Sequence, residues 1–143
     1  MPRYTSISEL PPVIPVFPLS GALLLPRTDL PLNIFEPRYL AMVEHAMSGN
    51  HLIGMIQPLP GDTGETPALS QVGCLGRITS YSEAEDDRFL ISLTGVCRFT
   101  IRNELDVTTP FRQVEADYSG FAADLVSENN ARAVNRAAVI RAF

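Results

Sequence analysis

Lysine is absent from this sequence, and its absence excludes two kinds of catalytic site. All eleven basic residues among the 143 are arginine. A Ser–Lys dyad therefore cannot form, and neither can a Walker A phosphate-binding loop, which requires a lysine after its last glycine. A Gly-x-Ser-x-Gly motif, typical of α/β-hydrolases, does not occur either. These absences make an enzyme an unfavourable interpretation of the chain.

Cysteine and histidine are scarce, which argues against a metal or redox centre. Cys74 and Cys97 belong to no Cys-x-x-Cys motif, and neither His45 nor His51 has a cysteine nearby in the sequence. Zinc sites use several such ligands at characteristic spacings, so no metal and no cofactor are predicted. In a reducing compartment both thiols are expected to stay free.

Long apolar runs are also missing. No segment approaches the roughly 18 apolar residues of a membrane span, and residues 1–10 lack the apolar core of a secretory signal. The formal net charge is −5, whereas non-specific binding to nucleic acid needs a basic surface. We therefore expect a cytoplasmic protein with neither a membrane nor a nucleic acid as its partner.

Apolar residues at strand spacing, by contrast, occur along most of the chain. Residues 13–19 are apolar and extended, but two prolines remove two backbone donors, so this strand is expected at a sheet edge or beside a bulge. Three prolines and two glycines within 58–71 predict a long mobile loop. Strands are predicted at 13–19, 30–35, 52–56, 72–81, 88–102 and 111–118.

The two longest predicted strands show the clearest alternation. In the strand at 88–102, apolar side chains take the odd positions and polar side chains most of the even ones, which is typical of a half-buried strand. A tight turn before this strand would set Cys74 roughly opposite Cys97. Two small buried hydrophobic residues are favoured there over a redox pair. The inward residues predicted for the partner strand are Val72, Cys74 and Ile78.

One helix is clearly predicted, directly after Glu36. Pro37 is suited to the first helical position, where its missing N–H costs nothing. Apolar residues then recur at helical spacing, at Tyr39, Met42, Val43, Ala46 and Met47. Gly49-Asn50 is expected to end the helix. A second helical pattern starts near residue 124, and because no stop signal follows Phe143, the chain is expected to continue past it.

Two segments carry short motifs that together indicate a family. The first holds PVFPL at 15–19 and LPLNIFEPRY at 30–39, and the second combines VGC at 72–74 with GVCRF at 95–99. Over residues 13–118 the sequence resembles the N-terminal, substrate-binding domain of the Lon protease family. The IFEPRY run is the specific part of this resemblance.

The resemblance implies a fold, a domain division and a role. The fold is mainly β with α, a PUA-like antiparallel pseudo-barrel with a helix after Glu36 and a C-terminal helix starting near 124. The division is a lead-in at 1–12, a Lon-like β domain at 13–120, and the start of a helical segment at 121–143. The role is that of a stand-alone bacterial form, without ATPase or protease modules, which binds unfolded or extended polypeptide and does not cleave it.

The same resemblance suggests candidate binding residues: Phe17, Phe35, Glu36, Arg38 and Tyr39. Structural roles compete with this interpretation. Glu36 lies at a helix start, where the helix dipole favours a carboxylate and where it can accept backbone N–H bonds. Arg38 can pair with a carboxylate, and the aromatic residues can pack in the core. The family often has His where this chain has Asn33, so no single contact is carried over.

Two other functions stay open. The segment 124–143 can serve assembly, which would make the chain an adaptor for a protease or a self-associating domain. An enzyme with a shallow site, using His45 or His51 with a nearby carboxylate, is permitted by composition alone.

Overall fold

Six strands and one α-helix form the part of the chain that the structure, a computed structural model, describes: residues 4–60 and 67–125. The elements are β1 (Val13–Pro18), β2 (Asp29–Ile34), α1 (Pro37–Met47), β3 (Leu52–Ile56), β4 (Val72–Glu83), β5 (Phe89–Glu104) and β6 (Arg112–Asp117). Short 3-10 segments occur at Ile7–Glu9 and Ser119–Leu125. The predicted strands and the helix after Glu36 are confirmed. The helix expected from about 124 onward lies almost wholly outside the described residues.

Five of the strands form a ring. Their order is β5-β4-β3-β1-β6, and β6 pairs with β5 again, which closes the ring. On this edge the long strand β5 pairs with β2 through its first half and with β6 through its second half. All pairings are antiparallel except that of β1 with β3, which is parallel. The predicted mainly β fold is therefore confirmed, as a ring-like sheet with one parallel pair. β2 lies outside the ring, and among the strands at residues 4–60 and 67–125 it pairs with β5 alone.

The expectation that β1 lies at a sheet edge is wrong, and neither ladder of β1 contains the alternative, a bulge. β1 pairs with β6 through residues 13–16 and with β3 through residues 16–18. The Ala116 N–H donates to the Pro12 carbonyl at 2.8 Å. Backbone groups alternate between the two sides of a strand, so the nitrogen of Pro15 points away from β6. On that side the pairing with β3 begins only at Val16, so no hydrogen bond is lost. Pro18 ends the strand. An interior strand accepts both prolines because each lies at a ladder boundary.

The alternation predicted for β5 is confirmed. Its odd residues from Phe89 to Phe99 are buried, and Phe99 itself has no exposed surface. In β4, Cys74 and Ile78 are buried as expected. Val72 is 47% exposed, against expectation, because it is the first residue of β4 and lies on the rim of a surface cavity.

The two cysteines do not face one another. The β4–β5 hairpin is centred on residue 86 and carries two compensating bulges, so Cys74 lies opposite Arg98 and Cys97 lies opposite Leu75. Both thiols are free and buried, each in a different hydrophobic cluster. Burial raises the pKa of each thiol to about 12. The structure thus supports two buried hydrophobic residues rather than a redox pair.

Two turns differ in detail from the sequence expectation. The C-cap of α1 is Ser48, and the left-handed residue that follows is His51, with a φ of 66°, rather than Gly49 or Asn50. The ends of the predicted loop at 58–71 approach each other through a bridge between Pro58 and Leu69. The mobility expected for the middle of that loop concerns residues 61–66, outside the described residues.

A buried carboxylate fixes the segment Ser119–Leu125 to β5. Asp124 is only 9% exposed. Its side chain accepts hydrogen bonds from the Arg98 backbone N–H at 3.0 Å, from Arg98 Nε at 3.0 Å and from Arg98 Nη2 at 2.8 Å. These bonds lower the pKa of Asp124 below its ordinary value, against the opposing effect of burial. The guanidinium also lies over the Phe121 ring, 4.8 Å from its centroid.

The substitution Asp124→Asn is expected to lower the free energy of unfolding by about 1–3 kcal/mol at pH 7, because a charge-assisted pair is replaced by a neutral amide. A carboxyl whose pKa is lowered by folding stabilises the protein above its ordinary pKa and loses that effect as the pH falls. The difference between wild type and variant is therefore expected to shrink as the pH falls below 3.8, the ordinary value. Urea denaturation of both proteins at pH 7 and pH 2.5 measures this difference in the free energy of unfolding. A difference that does not change with pH would contradict a stabilising role for the ionised Asp124 carboxylate.

Gly95 allows two backbones to approach more closely than a side chain would permit. A Cβ at this position would lie 3.0 Å from Pro26 Cα and closer still to the Leu25 carbonyl. The Gly95 N–H donates to the Thr28 carbonyl at 2.9 Å, and its own carbonyl accepts from the Arg27 N–H at 2.8 Å. This contact attaches the chain before β2 to the middle of β5.

The substitution Gly95→Ala is expected to lower the free energy of unfolding by about 1–3 kcal/mol, since rigid backbone would have to move. Gly120→Ala is the matched control, because a Cβ there meets nothing within 4 Å, and its effect should stay within about 0.5 kcal/mol. Equal stabilities of the two variants in urea denaturation would show that the close approach is unimportant.

Candidate functional site

A stacked aromatic pair forms the floor of the candidate site. The rings of Phe17, from β1, and Tyr39, from the first turns of α1, have centroids 4.2 Å apart and planes inclined by 22°. Both residues are nearly buried, at 6% and 8% exposure. Desolvation of the phenol raises the pKa of Tyr39, so it stays protonated well above neutral pH. The pair offers a flat apolar surface rather than a titrating group.

The short connection between β2 and α1 forms the rim of the site. Alternation along β2 buries Ile34 and turns Phe35 outward, leaving Phe35 63% exposed. Pro37 at the helix start keeps Glu36 extended, with φ −72° and ψ 133°. Strand therefore becomes helix within a few residues, and the residues of this corner surround the aromatic floor.

Glu36 and Arg38 pair with each other at this corner. Arg38 Nη2 lies 3.0 Å from Glu36 Oε2, and Arg38 Nε donates to the same oxygen at 3.1 Å. The guanidinium carbon lies 4.7 Å from the centroid of the Tyr39 ring. The expectation that the Glu36 carboxylate caps the helix is wrong, because its side chain makes no cap hydrogen bond. Arg38 holds the carboxylate instead, and the rim carries no net charge.

All five candidate residues line one surface cavity of about 180 Å³, which we call the aromatic cavity. The other residues that line it are Pro18, Leu19, Leu32, Asn33 and Ile34. Sequence analysis missed these as site residues, although alternation along a strand at 30–35 puts Leu32 and Ile34 on one face. Cavities of about 150 Å³ hold a benzene ring, so this one fits a single large apolar side chain.

The lining offers binding groups and no catalytic arrangement. Its ionisable members are the paired Glu36 and Arg38 together with the phenol of Tyr39. His45 and His51 are not among the lining residues; the His45 ring lies 5.2 Å from that of Phe111. Within residues 4–60 and 67–125, His, Cys, Asp and Glu form no cluster of three that can hold a metal ion. No helix in the same part of the chain has the length and apolarity to span a membrane.

A second apolar surface lies elsewhere on the domain. A cavity of about 130 Å³ beside β4 is lined by Leu23, Leu25 and Val72, which are 67%, 46% and 47% exposed. We call these three residues the leucine patch. The sequence motifs did not point to it, because its members come from a loop and from a strand end.

Comparison with known proteins bears directly on this fold and site. The family model for the ATP-dependent protease La (LON) substrate-binding domain matches residues 13–142. The chain belongs to this family. The match includes β1, β2 and the start of α1, and therefore every residue of the aromatic cavity.

Relatives with curated names include the Lon proteases of two bacteria. The chain is 30% identical to Lon protease of Desulfosudis oleivorans over 98 residues, which cover 66% of this chain and 12% of that protein. It is 27% identical to Lon protease of Dictyoglomus thermophilum over 105 residues, covering 73% of this chain and 13% of that protein. The chain thus corresponds to a small part of these relatives.

Solved structures share the fold. A Lon N-terminal domain protein from Xanthomonas campestris is similar at a TM-score of 0.61 and 25% identity, covering 74% of this chain and 59% of that one. The N-terminal domain of a Mycobacterium avium complex Lon protease is similar at a TM-score of 0.59 and 14% identity, covering 74% and 54%. The second likeness concerns the fold alone.

Proposed function

We propose that this domain binds unfolded or extended polypeptide without cleaving it, and that the aromatic cavity is where it does so. The observation that carries the proposal is the exposure of Phe35 beside a floor of stacked aromatic rings. A large apolar side chain at 63% exposure next to a concave apolar surface is typical of a recognition site. Membership of a substrate-binding family supports the same role.

The chemistry of the cavity favours binding over catalysis. The charged groups of the rim neutralise each other, and the phenol of Tyr39 is held protonated. No nucleophile with an adjacent base lines the cavity, so the histidine-based enzyme has no support in this site. The cytoplasmic location inferred from the sequence stays a prediction.

A second candidate function is that of an assembly or adaptor domain working with a protease or with another copy of the chain. The leucine patch favours it, because three exposed apolar residues line a cavity that shares no lining residue with the aromatic one. The two functions use different surfaces and can be separated by substitution.

The substitution Phe35→Ser is expected to weaken the binding of a fluorescently labelled, reduced and alkylated protein about ten- to hundredfold. Losing the burial of one phenyl ring removes about 1.5–3 kcal/mol, and each 1.4 kcal/mol is a factor of ten in Kd. Fluorescence anisotropy measures the affinity, and thermal unfolding checks that the exposed substitution leaves stability unchanged.

Leu23→Ser is the matched control, because Leu23 is exposed to a similar extent, 67% against 63% for Phe35, but belongs to the leucine patch. Its affinity should stay within about twofold of wild type. If Leu23→Ser weakened polypeptide binding and Phe35→Ser did not, the leucine patch would be the binding site instead of the aromatic cavity. Wild-type protein that binds no unfolded polypeptide, yet self-associates in light scattering, would favour the assembly role.

A further inference from the structure

One edge of β2 has no strand beside it in the described part of the chain. β2 pairs with β5 and with no other strand, and it ends the sheet order. Its last residues, Asn33 and Ile34, also line the aromatic cavity. The free edge therefore runs directly to the site proposed for polypeptide.

The bulge before β2 determines which backbone groups point to the free edge. Arg27 has a φ of 62° and donates its N–H to the Gly95 carbonyl, while the Gly95 N–H donates to the Thr28 carbonyl. This is the pattern of a bulge with a left-handed first residue, and it makes Thr28 a residue bonded to β5. Backbone groups alternate between the two edges from there. The residues that direct their N–H and C=O outward are Asp29, Pro31 and Asn33.

The three outward residues are unequal as partners for an added strand. All three side chains are exposed, but Pro31 has no N–H to donate. A proline at this position discourages long edge-to-edge pairing of the sheet. Asn33 keeps both a donor and an acceptor, so pairing is concentrated at the end of β2 next to the aromatic cavity.

We propose that polypeptide binds as an extended segment added antiparallel to the free edge of β2, with a neighbouring aromatic side chain in the aromatic cavity. This inference rests on the proposed function and specifies its geometry. The peptide residue opposite Asn33 exchanges two backbone hydrogen bonds with it. The next residue along lies opposite Leu32 or Ile34 and inserts its side chain as the anchor.

The anchor points into the cavity because of the pleat. Side chains of directly opposed residues in an antiparallel pair lie on the same face, and Leu32 and Ile34 both line the cavity. A volume of about 180 Å³ accepts one aromatic ring. The internal Glu36–Arg38 pair leaves no unbalanced charge at the rim, so the segment recognised is an uncharged one with a large apolar anchor.

The geometry predicts an alternating dependence on peptide N–H groups. The residues on either side of the anchor direct their N–H to β2, whereas the anchor and the residue two positions further direct theirs away. An uncharged heptapeptide of Ser and Thr with one central Phe serves as the parent probe. One derivative carries N-methyl groups on both neighbours of the Phe. The matched control carries them on the Phe and on the residue two positions away from the Phe.

Methylation of the neighbours is expected to raise Kd at least tenfold, while the control peptide stays within about threefold of the parent, both measured by NMR titration of the labelled protein. Equal effects of the two derivatives, with the parent still binding, would overturn strand addition and leave the proposed function intact. A reversed pattern would overturn the antiparallel geometry. Failure of both the parent peptide and an unfolded protein to bind would overturn the inference and the proposed function together.

A variant of the protein tests the same edge. Pro31→Thr adds one outward N–H to β2 without touching the bonds to β5, and should tighten binding of the parent peptide about threefold. Pro110→Thr, an exposed proline outside β2, is the control and should leave Kd unchanged. Affinity that does not improve in Pro31→Thr, in protein of unchanged thermal stability, would count against pairing at this edge.

Discussion

The close contact between Gly95 and the chain before β2 is the constraint on which the site depends. It is made in the middle of β5, where only a residue without a side chain lets the Leu25–Pro26 backbone approach. The same contact produces the left-handed bulge at Arg27 and so fixes which residues of β2 form hydrogen bonds with β5. This alternation decides which side chains enter the core, which face the aromatic cavity, and which backbone groups point to the free edge. A shift of one residue would exchange these faces.

The corner between β2 and α1 carries a pair of opposite charges next to an apolar site. Glu36 and Arg38 are each 45% exposed in their side chains, so their pairing contributes little to global stability. Its effect is local: the Glu36 carboxylate bonds to Arg38 and makes no cap hydrogen bond, and the guanidinium lies over the Tyr39 ring. The rim is polar enough to stay hydrated yet has no net charge with which to select a charged ligand.

The sequence predicted those features that depend on local pattern, and missed those that depend on closure of the sheet. Alternation predicted β5 correctly, and the Glu36-Pro37 step predicted α1. The five candidate residues share one cavity because strand, corner and helix start are contiguous in space. The interior position of β1 was missed, because ring closure through β6 is not visible in a local pattern of prolines. Likewise, the offset between Cys74 and Cys97 arises from the position of the turn, because the two bulges of the hairpin cancel each other before Cys74 is reached.

The proposed recognition through a strand edge and one cavity suits a domain of a substrate-binding family. Backbone hydrogen bonds are the same for every residue except proline, so the edge of β2 cannot distinguish most sequences. The cavity adds the requirement for one large apolar side chain, which folded proteins bury and unfolded chains expose. Both requirements are met together only by an extended segment with an accessible hydrophobic residue. In the proposed geometry, selection of the unfolded state follows from backbone geometry and hydrophobic burial at a single corner of the fold.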